Sequence, residues 1–473
     1  MTLLTLLPFL FFVILLVAKT RLLYASWIFW GVVAILLFGV WGIYLPISVS
    51  AVIKGFFVAL DIFFIVFGAL YFLSVTQKMG AITTIVQNLA HFSTNKGIQI
   101  IFIAWFLESF LEGTAGFGTP SVVATPLLIS LGLSPLTAVA IAMLGNSSAV
   151  IYGAAGTPIR VGMAAVNSTG VIPMAGLLNL VGFFVPTAMI WLWDKKAVTR
   201  LLPFTLWSGF SMLGFSYLAT ALGGEIPSIL GPVLALLLTI LLLKNKEAIK
   251  VDRTLVTAIA PYALLIFFLI LGKFALKDAG LALRFGLTHK IAFFNPGFSF
   301  ILAGLLANWW FNKPVIKTIG LFQSAKKAIE PLMVIFPISA AVQMMIISGQ
   351  NSHRWPSYLT LLAQNMSEKT LYIFAPFLGV LGSFVTGSAT LANVMFSGMV
   401  EKTAQASNLN SIVALSLLLV GGAAGNMISL ADILPALVVG NLKNKEMAVV
   451  KKVIVPCLLY ALLAILSGLI FFA

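Results

Sequence analysis

Apolar runs long enough to cross a bilayer recur along the whole chain, near residues 2–18, 22–46, 55–76, 171–194, 201–222, 226–243, 254–275, 297–312, 331–349 and 452–472. Each is bounded by charges or by Gly, Pro and Asn. Two further runs, 135–158 and 410–436, are interrupted by glycine and polar residues, and another two, 98–131 and 370–399, carry polar, glycine-containing tips near their middles. The pattern predicts an all-α polytopic membrane protein with about 12 transmembrane helices and two re-entrant hairpins. The first run, MTLLTLLPFLFFVILLVAKT, has no basic start and no A-x-A site, so it reads as a span and not as a removable leader.

The elements recur in order. A full span (55–76; 331–349) is followed by a shorter amphipathic stretch (79–93; 356–368), a hairpin (98–131; 370–399), an interrupted helix (135–158; 410–436) and a closing span (171–194; 452–472). The offset is about 275 residues throughout, and an odd number of crossings per unit inverts the second copy, the arrangement of a secondary transporter with its site where the breaks meet. The expected organisation is N-terminal scaffold spans at 1–50, a first repeat at 51–200, scaffold helices with a cytoplasmic amphipathic connector at 201–330, and a second repeat at 331–473. Orientation follows from Lys19/Arg21, Lys195/Lys196/Arg200, Lys244/Lys246/Lys250/Arg253, Lys313/Lys317/Lys326/Lys327 and Lys443/Lys445/Lys451/Lys452. With these in the cytoplasm, both termini lie outside, the first hairpin enters from the inside and the second from the outside.

Composition agrees: 61% of residues are hydrophobic and 9% charged, outside the range of soluble domains. The net charge of +15 needs no nucleic-acid partner, because basic residues collect in cytoplasmic loops. One cysteine, Cys457, and three scattered histidines, His91, His289 and His353, offer neither a disulfide framework nor a metal cluster, and no cofactor is expected.

The chemistry concentrates in the interruptions. LEGTAGFGTP (111–120) sits where irregular backbone is tolerated only inside protein or beside a watery cavity. Its glycines, Gly113, Gly116 and Gly118, let the chain turn back toward a ligand, and the return helix starting at Thr119 offers amides to an anion, with Thr114 beside them. The second tip supplies Thr386, Gly387, Ser388, Thr390 and Asn393. The broken helices add Asn146, Ser147 and Ser148 in one copy and Asn426 and Ser429 in the other. Hydroxyls at the tips serve either a ligand or free backbone groups. Glu112 reads as a proton carrier or as an acceptor for loop amides, and Glu108, one turn earlier, as its proton-sharing partner or an interfacial acid. Asp61 is expected to pair with Lys54 or to relay protons, and Asp432 to cap a helix or face the cytoplasm. Arg160 is either a carboxylate anchor or an interfacial residue.

FLEGTAGFGTP, NSSAVIYGAAGTPI (146–159), GSFVTGSATLANVMF (382–396) and GGAAGNMIS (421–429), in that order, resemble the lactate permease family, within the wider ion transporter superfamily of elevator-type carriers. The resemblance implies proton-driven symport of lactate, glycolate and similar 2-hydroxymonocarboxylates across a bacterial inner membrane, by a monomer or homodimer in the bilayer. The family carries an acid where this chain has Ala389, a lysine where it has Asn426 and an apolar residue where it has Arg160, which bears on the substrate and the coupling ion. The alternative is a sodium-coupled carrier for another organic anion such as a dicarboxylate. A channel would need a continuous polar path, whereas the polar residues cluster at the four breaks. An intramembrane enzyme would need a nucleophile with a base or a metal set, and no H-E-x-x-H or G-x-S-x-G with partners occurs.

Overall fold

A computed structural model describes residues 2–18, 20–91, 93–116, 118–243, 253–276, 279–310, 319–363 and 368–472. Lys19, Lys244, Lys246, Lys250, Lys313 and Lys317, which carry part of the expected orientation, lie outside the described residues, as do positions 364–367 of the second amphipathic stretch.

Among the described residues nine helices are long and apolar enough to cross a membrane, and ten if the bent pair Pro135–Gly145 and Ser148–Arg160 counts as one span. The expected crossings at 2–18, 226–243 and 297–312 form shorter apolar helices, Thr2–Val17, Pro227–Leu242 and Pro296–Trp310. Conversely, the first arm of the first hairpin, Lys96–Thr114, is itself long enough to count as a span.

Local sequence fixes the starts of the central helices. Asn95 accepts from the Gly97 amide, Ser134 from Thr137 ahead of Pro135 at N1, and Asn410 from Ile412 and Val413. These side chains satisfy amides that have no carbonyl one turn earlier.

The helices form two packing neighbourhoods. In one, Ile319–Ile347 runs along Leu45–Lys78 and Leu22–Leu36, and Pro296–Trp310 lies between Leu45–Lys78 and Arg253–Ala275. Gly68 and Gly297 meet backbone to backbone there, with no room for a Cβ on either, the small-residue contact that brings membrane helices close. In the other, the hairpins and broken helices make the centre: the windows within Lys96–Thr114 and Ser411–Val439 are 89% buried, against 28% for Leu22–Trp41 and Arg253–Ala275 at the periphery. Segment 201–330 contributes to both, because Ala197–Ala219 packs on Val171–Trp193 and Pro227–Leu242 on Lys96–Thr114, while Arg253–Ala275 packs on Ala81–His91 and Pro296–Trp310.

One element was not anticipated. Gly280–Arg284 and Thr288–Ala292 pair as antiparallel strands, with Leu283 opposite His289, around a turn at Gly286 with φ of 86°. This hairpin lies on Leu45–Lys78, where Phe57 stacks against Phe285 and His289 and Ser50 Oγ donates to the Phe285 carbonyl at 2.5 Å. Nearby, Asp61 Oδ1 accepts from Asn295 Nδ2 at 2.9 Å, so its partner is an amide from a distant loop and not the expected Lys54.

Candidate functional site

Four irregular segments enclose one cavity of about 30 Å³, a volume that holds one or two waters. The first half of the chain supplies Glu112, Gly116, Gly118, Val150, Gly153, Ala154 and Pro158 to its wall, and the second half Gly387, Ser388, Ala389, Thr390 and Asn426. Each hairpin is two consecutive helices, Lys96–Thr114 with Thr119–Ser130 and Glu368–Thr386 with Ala389–Ala406. Their tips meet at this cavity.

The turns are built by glycine. Gly118 (φ 72°) caps the start of the first return helix, and Gly387 (φ 70°) precedes the second, which Ser388 caps by accepting from the Leu391 amide. The amides of Ala389 and Thr390 occupy the first turn, where no intrahelical carbonyl serves them, so they present donors and a positive dipole end to the cavity. The first broken helix contributes an unusual stretch: Ala154, Ala155 and Gly156 are consecutively left-handed, with φ of 42°, 52° and 78°. Alanine there costs roughly 1–2 kcal/mol per residue. Thr157 Oγ1 holds the turn by donating to the Ala154 carbonyl at 2.5 Å, and Gly156 lies against the Gly224 carbonyl with no space for a Cβ.

Bonds between the halves tie the site together. Asn393 Nδ2 donates to the Pro158 carbonyl at 2.9 Å, Ser397 Oγ to the Gly162 carbonyl at 3.3 Å, and Asn426 Nδ2 to the Asn146 carbonyl at 3.4 Å.

Of the residues singled out from sequence, Glu112, Gly116, Gly118, Gly387, Ser388, Thr390 and Asn426 reach the cavity wall. Most of the others serve the backbone. Thr114 Oγ1 donates to Phe110 and Leu111, Thr119 Oγ1 to Gly116, Ser147 Oγ to Leu144 and Thr386 Oγ1 to Gly382. Ser429 Oγ accepts from the Asp432 amide, Ser148 Oγ accepts from Tyr460, and Gly113 lies flush against the Ser228 carbonyl. Asn146 has both side-chain polar atoms buried without a partner. Glu108 is fully buried against Gly145, its two oxygens likewise unpartnered, so it does not stand at an interface.

Arg160 lies two residues beyond cavity-wall Pro158 but is not itself in the wall. Its Nη1 stands 3.9 Å from Glu225 Oε1, its other terminal nitrogen donates to the Phe294 carbonyl, and the guanidinium covers the Phe294 ring. Lys273 Nζ takes the second Glu225 oxygen at 2.5 Å.

Sequence reading missed Asp432. It follows the Ser429 cap, as a capping residue would, yet it is 4% exposed and packs over Gly118, with Oδ2 buried and unpartnered, instead of facing the cytoplasm. It also missed the backbone wall at Gly153 and Ala154, although GAAGTP is a legible break. The lining residues include no lysine or arginine, so what the site offers an anion is dipoles, with one acid beside them.

The profile of the L-lactate permease family matches residues 1–289 and 278–472. The chain is similar to an L-lactate permease of Streptococcus iniae (27% identity over 384 residues, 74% of this chain and 79% of the relative). It is also similar to an L-lactate permease of Salmonella typhimurium (25% over 460 residues, 84% and 82%) and to a glycolate permease of Escherichia coli K12 (24% over 469 residues, 84% and 82%).

Proposed function

Because the chain belongs to the L-lactate permease family, we propose that it is a secondary active transporter for small 2-hydroxymonocarboxylates such as lactate and glycolate, driven by symported protons. The observation that carries this reading is the single cavity enclosed by two hairpin tips and two helix breaks, one of each from either half of the chain. Helix-start amides, Ser388, Thr390 and Asn426 would hold the carboxylate and hydroxyl, since a buried anion needs several dipoles where it has no cation. Glu112, in the same wall, would carry the coupling proton: a neutral acid does not repel the anion beside it, so the two binding events are linked.

The hairpins and broken helices, with Ala197–Ala219 and Pro227–Leu242 packed on them, form the moving unit in this reading, and Leu45–Lys78, Arg253–Ala275, Pro296–Trp310 and Ile319–Ile347 form the scaffold. The two repeats are inverted and the hairpins re-enter from opposite faces of the bacterial inner membrane. In support, three connections that the positive-inside rule puts on the outer face meet one another, through Arg160, through Glu225, and through Lys273 and Phe294 at the two ends of the third.

Uptake of labelled L-lactate and glycolate into proteoliposomes, with pH and sodium gradients imposed separately, tests the reading. Accumulation driven by the pH gradient alone is expected. Accumulation driven only by sodium assigns the coupling to the other cation, and absence of both substrates from the lumen under either gradient overturns the substrate class.

A further inference from the structure

The Glu112 and Asp432 side chains approach one another around the first hairpin tip from elements far apart in sequence. Glu112 ends the first arm and Asp432 occupies the first turn after the last break. Each carboxyl rests in a recess floored by glycine: a Cβ at Gly153 would overlap Glu112 Oε1, and one at Gly118 would overlap Asp432 Oδ1. A Cβ at Gly116 would also meet Glu112 Oε1, at 3.5 Å, so the two carboxyls flank one turn, Glu112 at Gly116 and Asp432 at Gly118, and Ser429 Oγ accepts from the Asp432 amide. Both residues are at least nine-tenths buried, at 5% and 4% exposure, and Glu112 Oε2 and Asp432 Oδ2 have no partner among the described residues. The cavity opens beside them, bounded by Glu112 itself and by Gly118, over which Asp432 packs. Arg160, the nearest basic residue along this wall, is held by Glu225 and Phe294.

We propose that Glu112 and Asp432 form a single two-carboxyl cation site that holds protons between them, and that Asp432 is its unassigned half. Two ionised carboxylates here would each lack a counter-charge and would repel one another. One proton, taken from water as the carboxyl O–H of one residue and donated as a hydrogen bond to the other, leaves the pair with a single negative charge. A second proton brings it to neutrality. A monocarboxylate is admitted beside the neutral pair and opposed by the singly charged one, so one proton enters with each anion, and both leave to water on the far side with no covalent bond of the substrate changed. Glu108 faces Gly145 one turn away, and among the described residues the elements around the pair also carry Tyr152, Arg160, Tyr372, Glu446, Lys451, Lys452, Cys457 and Tyr460, with Glu225 beside Arg160. Of the three cations Arg160 is taken by Glu225, and Lys451 and Lys452 stand in the first two turns of Glu446–Phe472, with Lys451 exposed.

The inference rests on the proposal that the cavity takes a small anion, and its test has one arm that needs no substrate. Infrared difference spectra of the full chain in lipid, titrated with acid, read the C=O stretch of protonated buried carboxyls. The native chain is expected to titrate in two linked steps. Asp432→Asn should remove one step and move the remaining Glu112 midpoint, and Glu112→Gln should do the converse. An Asp432→Asn chain whose Glu112 band keeps its native midpoint overturns the pair, as do native bands that respond to sodium at fixed pH. In proteoliposomes, Asp432→Asn should lower accumulation of labelled lactate under a pH gradient by about tenfold or more, within the usual range for linked sites, while retaining counterflow exchange. Native accumulation by this variant overturns the inference. A native chain that carries neither lactate nor glycolate but shows linked carboxyl steps refutes the transport reading and leaves the cation site standing.

Discussion

Arg160 Nη1 stands 3.9 Å from Glu225 Oε1, and this contact joins the end of the first broken helix to the loop ahead of Pro227–Leu242. Glu225 is thereby placed between two cations, because Lys273 takes its other oxygen at 2.5 Å. Among the described residues Arg160 is the arginine nearest the cavity wall, and it is held by Glu225 and Phe294, so that under the proposed function the anion is left to dipoles.

Arg160→Gln is accordingly expected to leave the half-saturation concentration for lactate within about twofold. A rise of about tenfold, or 1.4 kcal/mol, would mean that the arginine reaches the substrate. Glu225→Gln sets Arg160 and Lys273 face to face and should lower unfolding stability by about 1–3 kcal/mol, the usual cost of losing hydrogen bonds to charged groups. A double-mutant cycle on Arg160 and Glu225, read by thermal unfolding in detergent, should give a coupling above about 0.5 kcal/mol; smaller values would show an idle pair.

Glu112→Gln should abolish accumulation driven by a pH gradient while preserving exchange of labelled for unlabelled substrate. A glutamine retains the size and the acceptor oxygen but carries no proton between the two sides. Uphill uptake by this variant at the native rate would remove Glu112 from the coupling step.

The first hairpin places Lys96 and Ser130 at the outer ends of its two arms. Cys457 is buried, so single cysteines introduced at these positions report without interference. Both should react with an impermeant maleimide from the cytoplasmic side alone. Labelling from opposite sides would turn Lys96–Thr114 into a full crossing.

How much of this was written in the sequence depends on what each residue does. Tips and breaks were legible because backbone that leaves the helix needs residues tolerant of left-handed φ, and Gly118 and Gly387 are visible as letters. The hydroxyls were open between a ligand and the backbone, and Thr114, Thr119, Ser147 and Thr386 donate to carbonyls within four residues, a choice that depends on local geometry and not on the letters. Arg160 and Asp432 could not be assigned because the groups that decide their roles, Glu225 and Gly118, are remote in sequence and adjacent only in the fold. The strand pair at 280–292 was hidden in a short loop between two spans, where its alternation spans only five residues on each side.

Asn393→Ala deletes the amide that holds the Pro158 carbonyl at 2.9 Å and leaves that carbonyl buried without its donor. The expected loss is about 1–3 kcal/mol, read as a lower unfolding temperature, with a matching loss of transport because this bond joins the second hairpin to the first broken helix. Unchanged stability would show that the halves are held by packing alone.

The tetrapeptide Gly-Ala-Ala-Gly occurs at 153–156, where its last three residues are left-handed, and again at 422–425, inside the right-handed helix Ser411–Asn426. The same four letters are therefore not interchangeable between the two places, and one edit has opposite signs in them. Ala423→Gly takes the best helix former out of a helix and should cost about 1 kcal/mol. Ala154→Gly removes a Cβ from a conformation that disfavours it and should be neutral or stabilising by up to about 1 kcal/mol. One motif thus serves as a turn beside the cavity and as a helix behind it, and the asymmetry between the two places lies in handedness and not in composition.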